Sequence, residues 1–207
     1  TRYKDGVNKI PAVAISTEAS DKLSHFIKNQ KDLTLYIETH CKMVDPEKLS
    51  YNVVAEIKGS TYPDEIIVVG GHLDSWDVGG GAHDDGAGCV HAMQVFQAMR
   101  DLQYRPQRTI RCVLFMNEEN GLGGGLAYAK ASNDKDEYHM AAIESDAGGF
   151  SPRGFSCDAT DEAFIPMYRQ VTEWAGLLEP YGLHLSKGGS GADISPLKSQ
   201  NGLLFGL

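Results

Sequence analysis

The chain lacks three features that would each indicate a particular class of protein. Lys and Arg number 19 against 28 Asp and Glu, which gives a net charge of −9. Because contact with phosphates needs a basic surface, this balance argues against a nucleic-acid binder. No apolar run approaches the length of a membrane span. Closely spaced cysteines are also absent, which argues against a zinc ribbon, since no CxxC pair occurs among Cys41, Cys89, Cys112 and Cys157.

The rest of the composition is that of a globular protein. Of 207 residues, 42% are hydrophobic and 23% charged, and the length is sufficient for one sizeable core. Cys89 and Cys112 lie in apolar segments and are interpreted as buried free thiols. The polar segment Thr1–Asp5 lacks the apolar core of a signal peptide. A mature secreted chain would look the same, so the localisation stays open.

Strand-like and helix-like patterns alternate after residue 50. Such alternation is typical of a largely parallel sheet. We therefore expect an α/β fold, a three-layer sandwich with a mostly parallel central sheet and helices on both faces. Turn residues between 59 and 64 predict a hairpin joining the first two long strands. The predicted strands span 51–57, 66–71, 109–116, 140–145 and 203–206, and the predicted helices span 86–101, 122–132, 161–175 and 193–199.

The first 45 residues have a smaller pattern. A strand at 10–16, a helix at 18–29 capped by Thr17 and a strand at 33–37 are predicted before the polar segment Asp45–Lys48. This unit is too small to hold a core of its own. We expect one unit at 1–45 and the main domain at 46–207. The last six residues have the pattern of a strand that stops in mid-course, so the chain is expected to be cut there.

Metal-type ligands follow three of the predicted strands. The carboxyl ends of parallel strands lie on one edge of a sheet, where ligands bind. Asp84 lies in a neighbouring loop whose glycines permit a close backbone approach. Residues far apart in sequence can therefore meet around a metal ion. The residues at the three strand ends are His72 with Asp74, Glu118 with Glu119, and Glu144 with Asp146.

Taken singly, each of these groups has an ordinary structural interpretation. A histidine near an aspartate is more often a surface pair, and Glu118–Glu119 alone would be a solvated acidic turn. Asp85 is expected to cap the helix after its loop, and Asp146 could cap one as well. Adjacent carboxylates nevertheless repel unless a cation or a proton separates them. The occurrence of all these groups at several strand ends favours a metal site. Oxygen-rich ligands with one imidazole favour zinc, with manganese or cobalt as substitutes.

Four motifs in this order resemble the co-catalytic dizinc exopeptidase family, which includes zinc aminopeptidases and the carboxypeptidase Q-like, or plasma glutamate carboxypeptidase-like, enzymes. The run Ser75–Gly79 and the segment Gly191–Ile194 are most similar to the carboxypeptidase Q branch. The resemblance covers most of residues 50–207. It implies that residues 1–45 are part of a small protease-associated insert. The four motifs are HLDSW at 72–76, GAHDDGAG at 81–88, NEE at 117–119 and ESDAG at 144–148.

The resemblance implies a role for each matching residue. Two Zn²⁺ ions would be held, with Asp84 bridging both ions and His72 and Asp146 sharing one. Glu118 would be the general base for a water activated by the two ions. The peptide between Asp84 and Asp85 is expected to be cis. The full set of implied metal ligands is His72, Asp84, Glu119 and Asp146, and Asp74 would orient His72.

The implied activity is that of a metallo-exopeptidase, an aminopeptidase or a dipeptidase of the carboxypeptidase Q type, acting on short peptides. Such enzymes are secreted, periplasmic or lysosomal and often homodimeric. His83 stands where many aminopeptidases have Asp, and we expect it to be a bystander. The family's second histidine ligand lies beyond the last strand, and His184 is not placed to substitute for it. This polypeptide is therefore expected to be a catalytically incomplete fragment.

Two other functions stay open. A non-catalytic interaction domain on the same fold would be expected to have lost ligands, whereas all the residues of the four motifs are present. A single-zinc glutaminyl-cyclase-like acyltransferase would not need His72 in its strand-end motif. A peptide-hydrolysis assay run beside a cyclisation assay separates the two kinds of enzyme.

Overall fold

The computed structural model describes residues 6–8, 10–30, 32–40, 48–200 and 202–207. The chain separates into two compact units, Thr1–Lys48 and Leu49–Leu207. Cys41 and the polar segment 45–47 lie outside the described residues. None of the helices in the described ranges is long and apolar enough to cross a membrane.

The first unit contains one described helix, α1 (Thr17–Asn29). Its cap is Ser16 and not Thr17, because the Ser16 side chain accepts the Ala19 N–H at 3.2 Å. The strands predicted at 10–16 and 33–37 are wrong for the described residues, which form no strand there and are almost all exposed. A strand needs the ladder of a neighbouring strand, and none pairs with these segments in the described part of the unit.

The second unit is built on a mostly parallel sheet, as predicted. The order of its seven described strands is β1-β3-β2-β4-β7-β5-β6. The pairs β2–β3, β2–β4, β4–β7 and β5–β6 are parallel, and β1–β3 and β5–β7 are antiparallel. The strands are β1 (Val53–Ile57), β2 (Tyr62–His72), β3 (Arg108–Phe115), β4 (Tyr138–Glu144), β5 (Gly154–Asp158), β6 (His184–Lys187) and β7 (Leu203–Gly206).

The predicted hairpin between β1 and β2 is wrong, because β1 pairs with β3 instead. Residues of the connecting turn are tied to the start of β3. The Ser60 N–H donates to the Pro106 carbonyl at 2.9 Å, and the Gly59 N–H donates to Thr109 Oγ1 at 3.1 Å. The turn therefore crosses the start of β3 and places β1 and β2 on its two sides. The short strands β5 and β6 were not predicted.

Helices cover both faces of the sheet, as predicted. They are α2 (Ala87–Asp101), α3 (Gly123–Asp134), α4 (Asp161–Thr172) and the short α5 (Ala175–Leu178). The helix predicted at 161–175 is thus interrupted after Thr172. The segment predicted as a helix at 193–199 is instead a 3-10 turn at Ser195–Gln200.

The alternation of side chains along each strand divides the core between the two faces. Val68 packs with α3, whereas its neighbour Val69 packs with α2 on the opposite face. Leu204 likewise faces α3, and Leu203 faces α4. The α2 and α4 helices therefore share one face. Cys89 and Cys112 are buried free thiols, as predicted, and Cys157 is a third.

The start of α2 lies unusually close to the sheet. A Cβ at Gly88 would collide with the Ser145 carbonyl oxygen and with the Asp85 carboxylate. Only glycine allows this approach, which brings the loop before α2 against the end of β4. The loop residues Asp84 and Asp85 thereby reach the edge where β2, β3 and β4 end.

Candidate metal centre

The register of the sheet brings the three predicted strand ends to one edge. His72 is aligned with Phe115 of β3, and Gly70 is aligned with Glu144 of β4. Glu118 and Glu119 follow β3 within four residues, and Asp146 follows β4 within two. The structure therefore collects the side chains that the sequence singled out at the carboxyl ends of parallel strands.

His72 is the buried centre of this group, with 1% of its surface exposed. Its Nε2 lies 3.1 Å from Asp84 Oδ1 and 3.2 Å from Asp146 Oδ1. Its Nδ1 contacts the Asp74 carbonyl oxygen at 2.8 Å. In the neutral imidazole, an Nδ1–H bound to this acceptor leaves the free lone pair on Nε2, where a metal ion can take the place of a proton. Asp74 thus does contact His72, but through its backbone carbonyl.

The Asp74 carboxylate has a different partner. Its Oδ1 is 3.8 Å from His72 Nδ1, beyond hydrogen-bond distance. It accepts the backbone N–H groups of Glu118 and Glu119 at 2.9 and 3.2 Å. The loop after β3 is therefore held by the loop after β2. This function of Asp74 was not predicted from the sequence.

Two sets of side chains have the spacing of a metal site. His72, Asp84 and Glu119 present ligand atoms within 4.8 Å of one another, and so do His72, Asp85 and Asp146. Asp85 already accepts the His72 N–H and the Gly88 N–H, each at 2.9 Å. Its two oxygens are thus used to hold β2 to the first turn of α2, in line with the predicted capping contact. The side chains that stay free to bind a metal ion are those of His72, Asp84, Glu119 and Asp146.

Asp84 reaches this group from an unusual backbone segment. The Asp84–Asp85 peptide is cis, as expected. Asp84 also has non-helical φ and ψ of −128° and 95° inside the turn Ala82–Gly86. The Asp84 side chain is 59% exposed, so the group opens to solvent on this side.

The charges in this group favour the binding of a cation. Burial lowers the pKa of His72, but the Asp146 carboxylate and the Asp74 carbonyl outweigh it and raise that pKa to about 10. Burial raises the pKa of Glu118 and of Glu119, and neighbouring carboxylates add to both shifts. Several acids facing one imidazole thus hold a proton tightly unless a metal ion takes its place.

Two observations show that these ligand atoms fit a zinc ion. Ligands about 2.0–2.1 Å from a tetrahedral zinc lie about 3.3 Å from one another, which is close to the spacing of His72 Nε2 from the two aspartates. In addition, Glu119 Oε1 is buried and has no hydrogen-bond partner among the described residues. Such an oxygen is costly to bury unless it binds a cation.

Two further acids lie near this edge: Glu144, which the sequence placed with Asp146 at a strand end, and Asp193, which had no predicted role. Glu144 is buried and accepts the N–H groups of Ala192, Asp193 and Ile194, at 3.1, 3.4 and 2.9 Å. Burial raises its pKa to about 8. Asp193 is fully buried, and both its carboxylate oxygens lack a hydrogen-bond partner among the described residues. From the sequence, the Asp193 segment was singled out only because it resembles the carboxypeptidase Q branch. An isolated acid in a glycine-rich loop has no pattern that would indicate a buried position.

Comparison with known proteins points to one family. Residues 52–192 match the model of peptidase family M28. Mouse carboxypeptidase Q is 36% identical over 195 residues, which are 94% of this chain and 40% of that protein. The chain thus spans about 40% of the length of the curated relatives it matches.

Solved structures show the same fold. A peptidase M28 precursor from Shewanella amazonensis is 36% identical, with a TM-score of 0.75 over 100% of this chain and 46% of that one. A zinc aminopeptidase from Bacillus subtilis is 22% identical, with a TM-score of 0.55 over 74% of this chain and 39% of that one. The second likeness is one of fold.

Proposed function

This chain belongs to peptidase family M28, and we propose that it carries metal-binding and proton-transfer residues of a metal-dependent exopeptidase acting on short peptides. One observation carries the proposal. The buried His72 places Nε2 at 3.1 and 3.2 Å from carboxylates that come from two other loops. Carboxylates from separate loops that face one imidazole repel one another. No Lys or Arg forms an ion pair with them among the described residues, so a bound cation is the group that would hold them together.

His72, Asp84, Glu119 and Asp146 would hold two zinc ions, and Asp84 would be a ligand of both. Two observations support this assignment: the metal-site spacing of the ligand atoms, and the buried Glu119 Oε1, which has no hydrogen-bond partner among the described residues. When bound, zinc acts as a Lewis acid toward a peptide carbonyl and lowers the pKa of water. Asp85 and Asp74 hold the ligand-bearing loops through backbone N–H groups and leave the ligands' own oxygens free.

Glu118 is the proposed general base. Burial raises its pKa and the His72 charge opposes this in part, while Asp146 and Glu119 add to the rise, so its carboxylate accepts a proton more readily than an exposed glutamate does. It would take the proton from the attacking water and return it to the leaving amine of the peptide. The Asp74 carboxylate fixes the Glu118 backbone during both transfers.

Zinc content measured after dialysis, together with hydrolysis of dipeptides with free termini, tests this function. The chain is expected to retain zinc, and release of amino acids is expected from a polypeptide that also supplies the second histidine ligand of the family. His72→Asn and Asp84→Asn should lose zinc, whereas Asp77→Asn, a change to an exposed aspartate of the same loop region, should not. Unchanged zinc content in the first two variants would disprove the site.

The same assays separate the two alternative functions. Cyclisation of an N-terminal glutamine without hydrolysis would indicate the acyltransferase. Zinc binding without either reaction would indicate the interaction domain if it persists in a polypeptide that supplies the second histidine ligand and whose zinc depends on His72 and Asp84.

A further inference from the structure

We infer that His83 is a positioning residue, which sets the distance between Asp84 and Asp146 by joining the two loops that carry them. The inference rests on the proposed function, because it takes Asp84 and Asp146 as metal ligands. It replaces the expectation from sequence that His83 is a bystander. His83 lies directly before Asp84, so any contact it makes acts on the adjacent carboxylate.

The contact that carries the inference is a hydrogen bond between the two loops. The Gly149 N–H donates to His83 Nδ1 at 3.1 Å. Gly149 lies three residues after Asp146. The bond therefore connects the loop after β4 to the turn before α2, close to one carboxylate on each side.

The His83 ring also packs against the loop after β4. Its ring meets Phe150 edge to face, with centroids 5.1 Å apart at 62°. A Cβ at Gly148 would fall inside the van der Waals envelope of His83 Cε1 and Nε2. Gly148 has φ of +93°, so both its conformation and its closeness to the ring favour glycine. The loop is shaped to receive the imidazole.

This loop has little else to hold it. In the described segment 147–152, the bond from Gly149 to His83 is the one hydrogen bond that the structure records. Asp146 itself is fixed by its N–H, which donates to the Leu207 carbonyl at 3.2 Å. The segment 147–152 is largely exposed, and the Asp84 and Asp146 carboxylates repel each other. A contact that spans both loops opposes their separation.

His83 is not itself one of the metal-type donors. Among the described residues, neither set of side chains with metal-site spacing includes it. Its Nδ1 is already used as an acceptor for the Gly149 N–H. Its effect on a metal ion must therefore pass through Asp84 and Asp146, as is common for groups that orient ligands.

Three variants of the whole protein test the inference with Co²⁺ as the metal. His83→Asn keeps an acceptor oxygen near the position of Nδ1, whereas His83→Ala and His83→Leu have none. The Co²⁺ dissociation constant and the Co²⁺ absorption spectrum are measured, together with the Tm of the metal-free protein. Ala and Leu should weaken Co²⁺ binding on the order of tenfold and alter the spectrum. Asn should restore both, and the Tm should not change.

Three results would overturn the inference. One is Co²⁺ binding by His83→Ala equal to that of the unchanged protein, and another is equal weakening by Asn and Ala. The third is a Tm that falls in step with the affinity, because the effect would then be one of folding. Asp84→Asn separates failure of the inference from failure of the proposed function. If it loses Co²⁺ while His83→Ala does not, only the inference fails; if Asp84→Asn also keeps full affinity, the proposed function fails.

Discussion

The Asp74 carboxylate accepts the backbone N–H of Glu118 at 2.9 Å, and its second oxygen accepts that of the next residue at 3.2 Å. This pairing fixes the proposed general base from a neighbouring loop. Charge-assisted hydrogen bonds of this kind are about twice as strong as neutral ones. The position of Glu118 thus depends on a residue whose own side chain need not touch the substrate.

Replacement of Asp74 by Asn should therefore impair the reaction more than metal binding. One amide oxygen can still accept one N–H, but the amide nitrogen then faces the other N–H and repels it. We expect kcat to fall on the order of 10–100-fold, as for residues that orient groups of a metal site, while zinc content is kept. Steady-state kinetics and elemental analysis measure the two effects.

Asp77→Asn is the matched control, because Asp77 is exposed and has no hydrogen bond recorded in the described structure. It should have normal kinetics. If Asp74→Asn lost zinc and activity together, Asp74 would act on the metal ligands and not on Glu118.

The exchange of Glu118 for Gln tests the proton transfer directly. The amide keeps the size of the side chain but cannot accept and return a proton at neutral pH. We expect hydrolysis to fall by roughly 10²–10⁴-fold, the usual contribution of a general base, with zinc content unchanged. Glu119→Gln should instead lose zinc, because its Oε1 has no other partner in the described structure. Hydrolysis at the original rate by the Glu118 variant would contradict the assignment.

The sequence was informative about this site wherever a ligand follows a buried parallel strand. His72 and Asp146 could be found because β2 and β4 are long, apolar and parallel, and their ends must share an edge. Glu144 also ends β4, but its contact with the Asp193 segment could not be predicted in that way. Their contact joins residues 49 apart through a loop without periodic pattern, so nothing local indicates that they meet.

The same reasoning explains the errors in the fold. Alternation predicted a strand at 33–37, but pairing is a property of two segments, and no partner lies beside this one in the described residues. The connection at 59–64 has the composition of a hairpin turn. Its N–H groups bond to residues that lead into β3, and that contact over a long sequence distance decides the topology. Composition alone carries no information about it.

Truncation of Asp85 to Ala should destabilise the fold. It leaves two buried backbone N–H groups, those of His72 and Gly88, without acceptors. Each orphaned group costs about 1–3 kcal/mol. Urea unfolding of the metal-free protein is expected to show a lower free energy of unfolding and, because β2 and α2 separate, weaker zinc binding. Asp64→Ala, at an exposed position on β2, is the control and should be close to neutral. Equal stability of the two variants would contradict this structural function of Asp85.

Acid should destabilise the protein through His139. This side chain is buried, and Tyr128 Oη lies 2.7 Å from Nε2 while Gln200 Oε1 lies 2.7 Å from Nδ1. Burial lowers its pKa below the ordinary 6.5, and the nearby Arg111 charge adds to the effect. The unfolded chain therefore binds this proton more tightly than the folded one. The stability that neutral His139 contributes is complete above pH 6.5 and is lost as the pH falls from there through the lowered pKa.

Thermal unfolding of the metal-free protein between pH 7.5 and 5 measures this loss, with the pH values set about one unit above and more than one below the ordinary pKa of histidine. His139→Gln should have a lower Tm at neutral pH but a flatter dependence on pH. His184→Gln, at an exposed position on β6, should keep the original slope. A slope unchanged in the His139 variant would show that another group causes the acid sensitivity.

Asp193 should destabilise the protein as the pH rises. It is fully buried, and neither carboxylate oxygen has a hydrogen-bond partner in the described structure. Burial raises its pKa from 3.8 to about 7, and Glu118 adds to the shift; the Gly125 backbone opposes it in part without reaching hydrogen-bond geometry. The folded state therefore binds this proton more tightly than the unfolded chain. The cost of ionising Asp193 is absent below pH 3.8 and complete above about pH 7.

Asp193→Asn removes that cost, so it should raise the free energy of unfolding of the metal-free protein more at pH 8 than at pH 5, on either side of the raised pKa. Urea unfolding at the two pH values measures the difference. Asp158→Asn is the counterpart, because Asp158 is paired with Lys198 at 2.7 Å and its loss should not stabilise the fold. A gain for Asp193→Asn that is the same at both pH values would mean that the carboxylate does not change its charge in this range. Its burial would then be balanced by a proton or a cation that stays bound throughout.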